Sequence, residues 1–324
     1  GLPIEIKVRE YLSKMYLACK FVDKLNQDVI IGEKNKVHNI FKENKNFYLI
    51  SKGGPVKLFN LFKKNYPENF LGILDEEAPL SNIAKLELKP RIHKKIFENL
   101  DDYFTWVSLD ENLLKKNLKQ KNLKSLIKCF GHPKFDLLKK RNIKIFGDEV
   151  NKIKKKYKNL VFIPSSFVFD QVLDENKMDE FQIYNFVNND NEKVKKKYLK
   201  IKSLEQENYD LFIKLLVELS KCHPNYNFVF RPHPRQSIQL LKQRILKKPK
   251  NLHIVYKYTV TPWIIACKLY IHYGCTSSLE ASFLKKKMVF FIQNEKAFQG
   301  RNINLYKSYG YFFNNYSKCF KFLN

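Results

Sequence analysis

Three segments carry residue types suited to binding and transferring anionic groups. Arg231-Pro232-His233-Pro234-Arg235 follows the apolar run Asn227-Phe228-Val229-Phe230. Two prolines stiffen the backbone just past a strand, so Arg231, His233 and Arg235 offer cationic or donor groups to an anionic ligand. The second segment, Gly274-Cys275-Thr276-Ser277-Ser278-Leu279-Glu280-Ala281, follows Leu269-Tyr270-Ile271-His272. It reads as a small-residue turn opening a helix, where free N–H groups, the helix dipole and the hydroxyls of Thr276, Ser277 and Ser278 suit a phosphate. Glu280, one turn in, is placed to accept from ribose hydroxyls. Ser277 and Glu280 also have the S-x-x-E spacing of a capping box, so a cap without a ligand is the competing reading. The GxGxxG fingerprint and the Walker A pattern are absent, which counts against NAD and ATP.

Carboxylates form the third group. Phe70 to Leu74 ends in Asp75-Glu76-Glu77, a cluster that supplies a candidate general base, Glu76, with Asp75, Glu77 and Lys52 of Ser51-Lys52-Gly53-Gly54 as further acceptor-side candidates. Decoration of a helix start is the plain alternative. Val161-Phe162-Ile163-Pro164-Ser165-Ser166-Phe167-Val168-Phe169-Asp170 places Asp170 just beyond another strand, and Gly131-His132-Pro133-Lys134-Phe135-Asp136 is a further strand-end loop.

The elements that must position these groups alternate in type. Leu2 to Ile6 reads as a strand, Val8 to Lys24 as a helix with apolar residues at helical spacing, and Asp28 to Gly32 as a strand again, a βαβ unit. Strands at Phe47–Ile50, Phe70–Leu74, Tyr103–Val107 and Ser125–Phe130 continue the pattern between lysine-rich helices. After a basic helix over residues 148–158 it restarts at Leu160–Pro164, with strands at Tyr226–Arg231, His253–Tyr256, Leu269–His272 and Met288–Ile292 and a long helix over residues 207–222. The fold class is therefore α/β, two Rossmann-like domains facing a cleft, with ligands at the carboxyl ends of the strands. The expected division is 1–150, 151–300 and a helical tail, 301–324, packing back on the first domain. The Asn- and Lys-rich run 188–200 receives no chemistry.

With 324 residues, 44% of them hydrophobic, the chain has material for two packed cores, which excludes a single small module and disorder. Sixty Lys+Arg against 32 Asp+Glu give +28, yet only seven of the sixty are arginine. Nucleic-acid readers lean on arginine, so nucleic acid is not an expected partner; compositional drift explains the lysine, with peripheral contact with an anionic membrane or polyanionic glycan as the alternative. Six scattered cysteines suggest neither a disulfide framework nor a metal site. No apolar run approaches the ~20 residues of a membrane span, and no signal-peptide pattern opens the chain, so the expected location is cytoplasmic, peripheral at the inner face of the membrane at most.

In order and over nearly the whole chain, residues 3–10 (PIEIKVRE), 75–78 (DEEA), 131–138 (GHPKFDLL), 230–234 (FRPHP) and 262–281 (PWIIACKLYIHYGCTSSLEA) resemble a bacterial family described as surface carbohydrate biosynthesis proteins. That family resembles in turn the retaining β-Kdo transferases of capsule and O-antigen assembly. The resemblance implies a GT-B fold, a CMP-activated ulosonic acid (Kdo or a nonulosonic acid) as donor, an oligosaccharide or glycolipid acceptor, and no metal or other cofactor. It implies Asp170 as the nucleophile of a double displacement. Donor binding falls on Arg231 and His233, with Arg231 standing where the family has lysine, and on Gly274, Thr276, Ser277, Ser278 and Glu280. The family's Glu-Asp-Gly is matched loosely by Asp75-Glu76-Glu77. Rival readings are an inverting transferase or epimerase using another nucleotide-activated donor, and a non-enzymatic basic glycan- or nucleic-acid-binding protein.

Overall fold

The computed structural model describes residues 1–53, 56–76, 79–80, 94–118, 126–167, 192–234, 236–245, 249–298 and 303–324. Asp170, Glu77 and Arg235, singled out above, lie outside the described residues. The chain divides into two compact units, Gly1–Ile145 and Phe146–Asn324.

In the first unit, β1 (Leu2–Ile4) leads into helix α1 (Lys7–Leu25) and returns as β2 (Ile31–Glu33), parallel to β1. The helix stops because Asn26 takes the left-handed conformation, φ 49°, and returns its N–H to Val22 O and Phe21 O. Four further parallel strands follow in spatial order: β3 (Tyr48–Ser51), β4 (Phe70–Leu74), β5 (Asp102–Thr105) and β6 (Ile127–Cys129). The N–H of Ile50 donates to Gly1 O at 3.0 Å, which sets β1 beside β3. The two parallel sheets, β1-β2 and β3-β4-β5-β6, therefore meet edge to edge at β1 and β3. Phe41, Phe59, Phe62, Leu71, Ile73 and Tyr103 pack one face, while Leu2, Ala18, Ile50 and Leu74 pack the other beneath α1. Helices on both faces are what a parallel sheet requires.

The second unit contains one six-stranded sheet, entirely parallel, in the order β12-β11-β10-β7-β8-β9. Its strands are β7 (Leu160–Pro164), β8 (Asn227–Arg231), β9 (Leu252–Ile254), β10 (Leu269–His272), β11 (Met288–Phe291) and β12 (Tyr311–Phe313). Counted within the unit this is 3-2-1-4-5-6, the order of dinucleotide-binding domains, and the reversal falls between β7 and β10. Helix Glu192–Cys222 covers one face with Tyr209, Phe212, Leu215, Leu216 and Leu219. The tail differs from the expected all-helical segment. Tyr311-Phe312-Phe313 pairs with β11 as the edge strand, and helix Tyr316–Leu323 buries Cys319 in the core of this unit. The reason lies at Gly310, where a Cβ would stand 2.5 Å from Met288 O, so the chain turns tightly enough to bring three aromatic residues alongside β11.

Candidate functional site

A reversal of strand order leaves a crevice at the carboxyl ends of the two strands that flank it. In the second unit those ends are Ser165–Phe167 after β7 and Tyr273–Ser278 after β10, and they are tied together. Ser166 Oγ donates to Tyr273 O at 2.7 Å, and the rings of Phe167 and Tyr273 stack with centroids 4.0 Å apart. Ser165 N–H donates to Arg231 O at 2.9 Å, which adds the end of β8 to the same platform.

The turn after β10 depends on Gly274. Its φ is +63°, and a Cβ there would lie 2.1 Å from Phe298 Cζ, so conformation and space both select glycine. Gly274→Ala is expected to lower the unfolding free energy by about 2–3 kcal/mol, the sum of left-handed strain and overpacking, read as a lower denaturant midpoint. A midpoint equal to wild type would mean that the turn relaxes freely.

Side chains within the turn bond mostly to each other. Ser277 Oγ bonds Tyr270 OH at 2.8 Å and Cys275 Sγ at 3.2 Å, and Tyr270 OH also bonds Cys275 at 2.9 Å. The S-x-x-E capping box therefore does not form: Ser277 makes no side-chain cap, and Glu280, buried, accepts from Thr261 Oγ1 at 2.7 Å. Burial raises both the Cys275 thiol and the Tyr270 phenol above their ordinary values, which favours their neutral forms. Thr276 and Ser277 remain half-buried at the surface of the turn. Ser278 Oγ is fully buried with no hydrogen-bond partner among the described residues. His272 is likewise enclosed; its Nδ1 accepts from Gly274 N–H, and burial pushes its pKa down to about 3, so the ring is neutral.

Arg231 corrects an expectation. Instead of reaching toward a ligand, its guanidinium donates to Lys257 O at 2.7 Å and Tyr258 O at 2.8 Å and lies over the Tyr256 ring at 4.9 Å. Only 7% of the residue is exposed, and a buried cation must find acceptors. It clamps the loop after β9 and supports Tyr256 from behind. His233 stands at the rim of a cavity of about 200 Å³ lined by Pro232, His233, Pro234, Ser237, Ile238 and Tyr256. Gln236 fixes that loop, its Oε1 accepting the His233 N–H at 2.9 Å.

The first-unit carboxylates also stand differently from a free base. Glu76 is 3% exposed, with Oε2 3.0 Å from His132 Nε2 and Oε1 3.6 Å from Lys14 Nζ. His132 Nδ1 accepts the Lys134 N–H at 3.1 Å, which leaves the ring proton on Nε2, pointed at Glu76. Burial by itself raises the Glu76 pKa, but the His132 hydrogen bond and the charges of Lys14 and Lys134 outweigh it and hold the carboxyl below its ordinary value. A carboxylate so placed is a weak base. Lys14 also bonds Glu10 at 3.1 Å and reaches Pro3 O. Asp75 is buried, its carbonyl accepting from Trp106 Nε1, and Lys52 pairs with Glu5. Lys14 is the residue that motif reading missed, while Glu10 and His132 were quoted within the motifs 3–10 and 131–138 without a role; the available signal for Lys14 was a Glu-x-x-x-Lys pair at helical spacing in α1, on the face turned to the sheet.

Among the described residues, no group of three His, Cys, Asp or Glu is arranged to hold a metal ion, and no helix is long and apolar enough to cross a membrane. No protein-family model matches the chain, and no curated protein matches it. Solved structures do. The chain is similar to the wall teichoic acid polymerase TagF, with 12% identity over 96% of this chain and 76% of that one, TM-score 0.55. It is also similar to the UDP-GlcNAc 2-epimerase from Methanocaldococcus jannaschii, with 14% identity over 94% and 81%, TM-score 0.54. These likenesses establish the fold: α/β, two Rossmann-like units of the GT-B type.

Proposed function

We propose that this chain is a glycosyltransferase that uses a nucleotide-activated sugar. The observation that carries the reading is the order reversal between β7 and β10, which gathers the turns Ser165–Phe167, Tyr273–Ser278 and Arg231–Pro234 at one edge of the second unit. The solved structures of similar fold, a teichoic acid polymerase and a UDP-GlcNAc 2-epimerase, agree in kind with enzymes of surface carbohydrates and nucleotide sugars. The finer reading is a CMP-activated ulosonic acid, Kdo or a nonulosonic acid, transferred with retention to an oligosaccharide or glycolipid. In it, Thr276, Ser277 and His233 receive the CMP phosphate, Ser278 and Glu280 brace the turn from inside, and Arg231 positions Tyr256 over the neighbouring cavity. Departing CMP needs charge stabilisation more than a proton, which suits neutral donors and a preorganised turn. Asp170 captures the oxocarbenium-like centre as the sugar–phosphate bond breaks, and an acceptor hydroxyl then displaces the aspartate. With Glu76 held by Lys14 and His132, deprotonation of that hydroxyl falls to a neighbour in the same loop.

The epimerase-like structure supports a second reading, a UDP-sugar enzyme, and nucleotide selectivity separates the two. His233→Ala is expected to weaken CMP binding by about ten- to a hundred-fold, the loss of one charge-assisted contact. Calorimetric titration with CMP, UDP and CDP checks both points. Preference for UDP selects the second reading, and unchanged CMP affinity in His233→Ala, Ser277→Ala and Ser278→Ala alike removes the site.

A further inference from the structure

The edge of the second sheet opposite its candidate site has a character of its own. All six strands are parallel, so their amino ends share one edge. That edge is lined with lysine: Lys158 stands two residues before β7, Lys250 two before β9, Lys268 one before β10, and Lys285 and Lys287 lead into β11. Lys221 occupies the last turn of the helix that feeds β8. All six are exposed, and the strand-entry residues 157–159, 223–226, 249–251, 267–268, 285–287 and 308–310 contain no Asp or Glu. Among the described residues, none of the six forms an ion pair; Lys268 donates to Asn159 Oδ1 at 2.6 Å, and Lys287 lies over the Tyr311 ring. Strands stand ~4.8 Å apart, inside the ~8 Å Debye length of physiological salt, so neighbouring cations act together. Two exposed tyrosines flank them: Tyr226, 38% exposed, enters β8, and Tyr311, 48% exposed, opens β12.

We propose that this amino-terminal edge is a docking surface for an anionic phospholipid bilayer, holding the protein peripherally. A row of lysines offers diffuse point charges to a charged plane, whereas bidentate recognition of individual phosphates calls for arginine. Tyrosines among the cations suit the headgroup layer. Docking by this edge leaves the opposite edge, with its turns, open to solvent. The inference does not depend on which sugar nucleotide, if any, the chain uses.

The test is cosedimentation of the full chain with vesicles of phosphatidylcholine and phosphatidylglycerol (3:1) and of phosphatidylcholine alone. Lys158→Gln, Lys250→Gln, Lys268→Gln and Lys287→Gln are combined in one variant. A control variant makes the same charge change at Lys36, Lys57, Lys64 and Lys116, exposed lysines of the first unit. At about five-fold per lysine, the edge variant is expected to lose roughly 10²–10³ in partitioning to anionic vesicles, while the control loses less than about ten-fold. Wild type should ignore neutral vesicles. Equal losses in the two variants would reduce the effect to net charge and overturn the proposal. So would absence of binding by wild type at low salt, or displacement from vesicles by polysialic acid or duplex DNA at equal charge concentration. The substituted side chains are exposed, so melting curves of both variants should match wild type, which keeps the comparison free of folding effects.

Discussion

Under the proposed double displacement, Asp170→Asn is expected to leave nucleotide affinity unchanged and to lower turnover by roughly 10³ or more, as when a nucleophile is lost. The amide has the size of the carboxylate, so it fills the same space. It cannot carry the covalent sugar. The assignment rests on the resemblance and on where β7 ends: Phe167, three residues earlier, is fixed by the Tyr273 stack and by Ser165 Oγ, which accepts its N–H at 3.4 Å. Asp174 and Glu175 are its rivals, and their amide variants should keep near-normal turnover. Wild type given donor and a poor acceptor should carry a mass increment of one ulosonic acid on the peptide containing Asp170. Near-normal turnover of Asp170→Asn, or an inverted product, removes double displacement together with this residue.

How much of this was legible in the sequence depends on whether the signal was local. Apolar runs such as Leu160–Pro164 and Met288–Phe291 declared themselves as buried parallel strands because period and length suffice for that. Strand order was not legible, since it depends on contacts between distant segments, and it is the order that places the crevice. The tail illustrates the limit: Tyr311-Phe312-Phe313 has no alternation to read, and its pairing with β11 is decided by the space available beside Gly310 and Met288. Among site residues, the turn that holds Gly274 was legible as a run of small residues before a helix, whereas the positive φ and the Phe298 contact that select glycine there were not. Arg231 was misread for a physical reason. Sequence gives the charge of a side chain but not its burial, and once buried the guanidinium is consumed by the carbonyls of Lys257 and Tyr258. Glu76 followed the same course, a carboxylate at a strand end whose partners, Lys14 and His132, lie 62 residues before and 56 residues after it.

That cluster yields the largest stability effect expected in the first unit. Lys14, Glu10 and Glu76 are respectively 4%, 2% and 3% exposed, and Lys14 is the ammonium shared by the two carboxylates. Lys14→Met keeps the apolar stem but leaves both carboxylates short of a partner inside the protein, a situation that costs about 3–5 kcal/mol because the desolvation of each charge is no longer offset. Glu10→Gln added to Lys14→Met should recover a substantial part of that loss, since one uncompensated charge is removed with it. The pH dependence has a definite sign. Glu76 is held below its ordinary value of 4.5, so its contribution is complete above that pH in the unfolded reference and is lost as pH falls through the lower folded value. Glu76→Gln should therefore flatten the acid limb of stability against pH, while wild type loses stability there. Denaturant unfolding between neutral and acid pH measures both effects. Lys14→Met within about 1 kcal/mol of wild type would mean that water reaches the cluster and shares its charge. In that event Glu76 regains the exposure a base requires, so the same experiment decides whether the carboxylate braces the first unit or works on an acceptor hydroxyl.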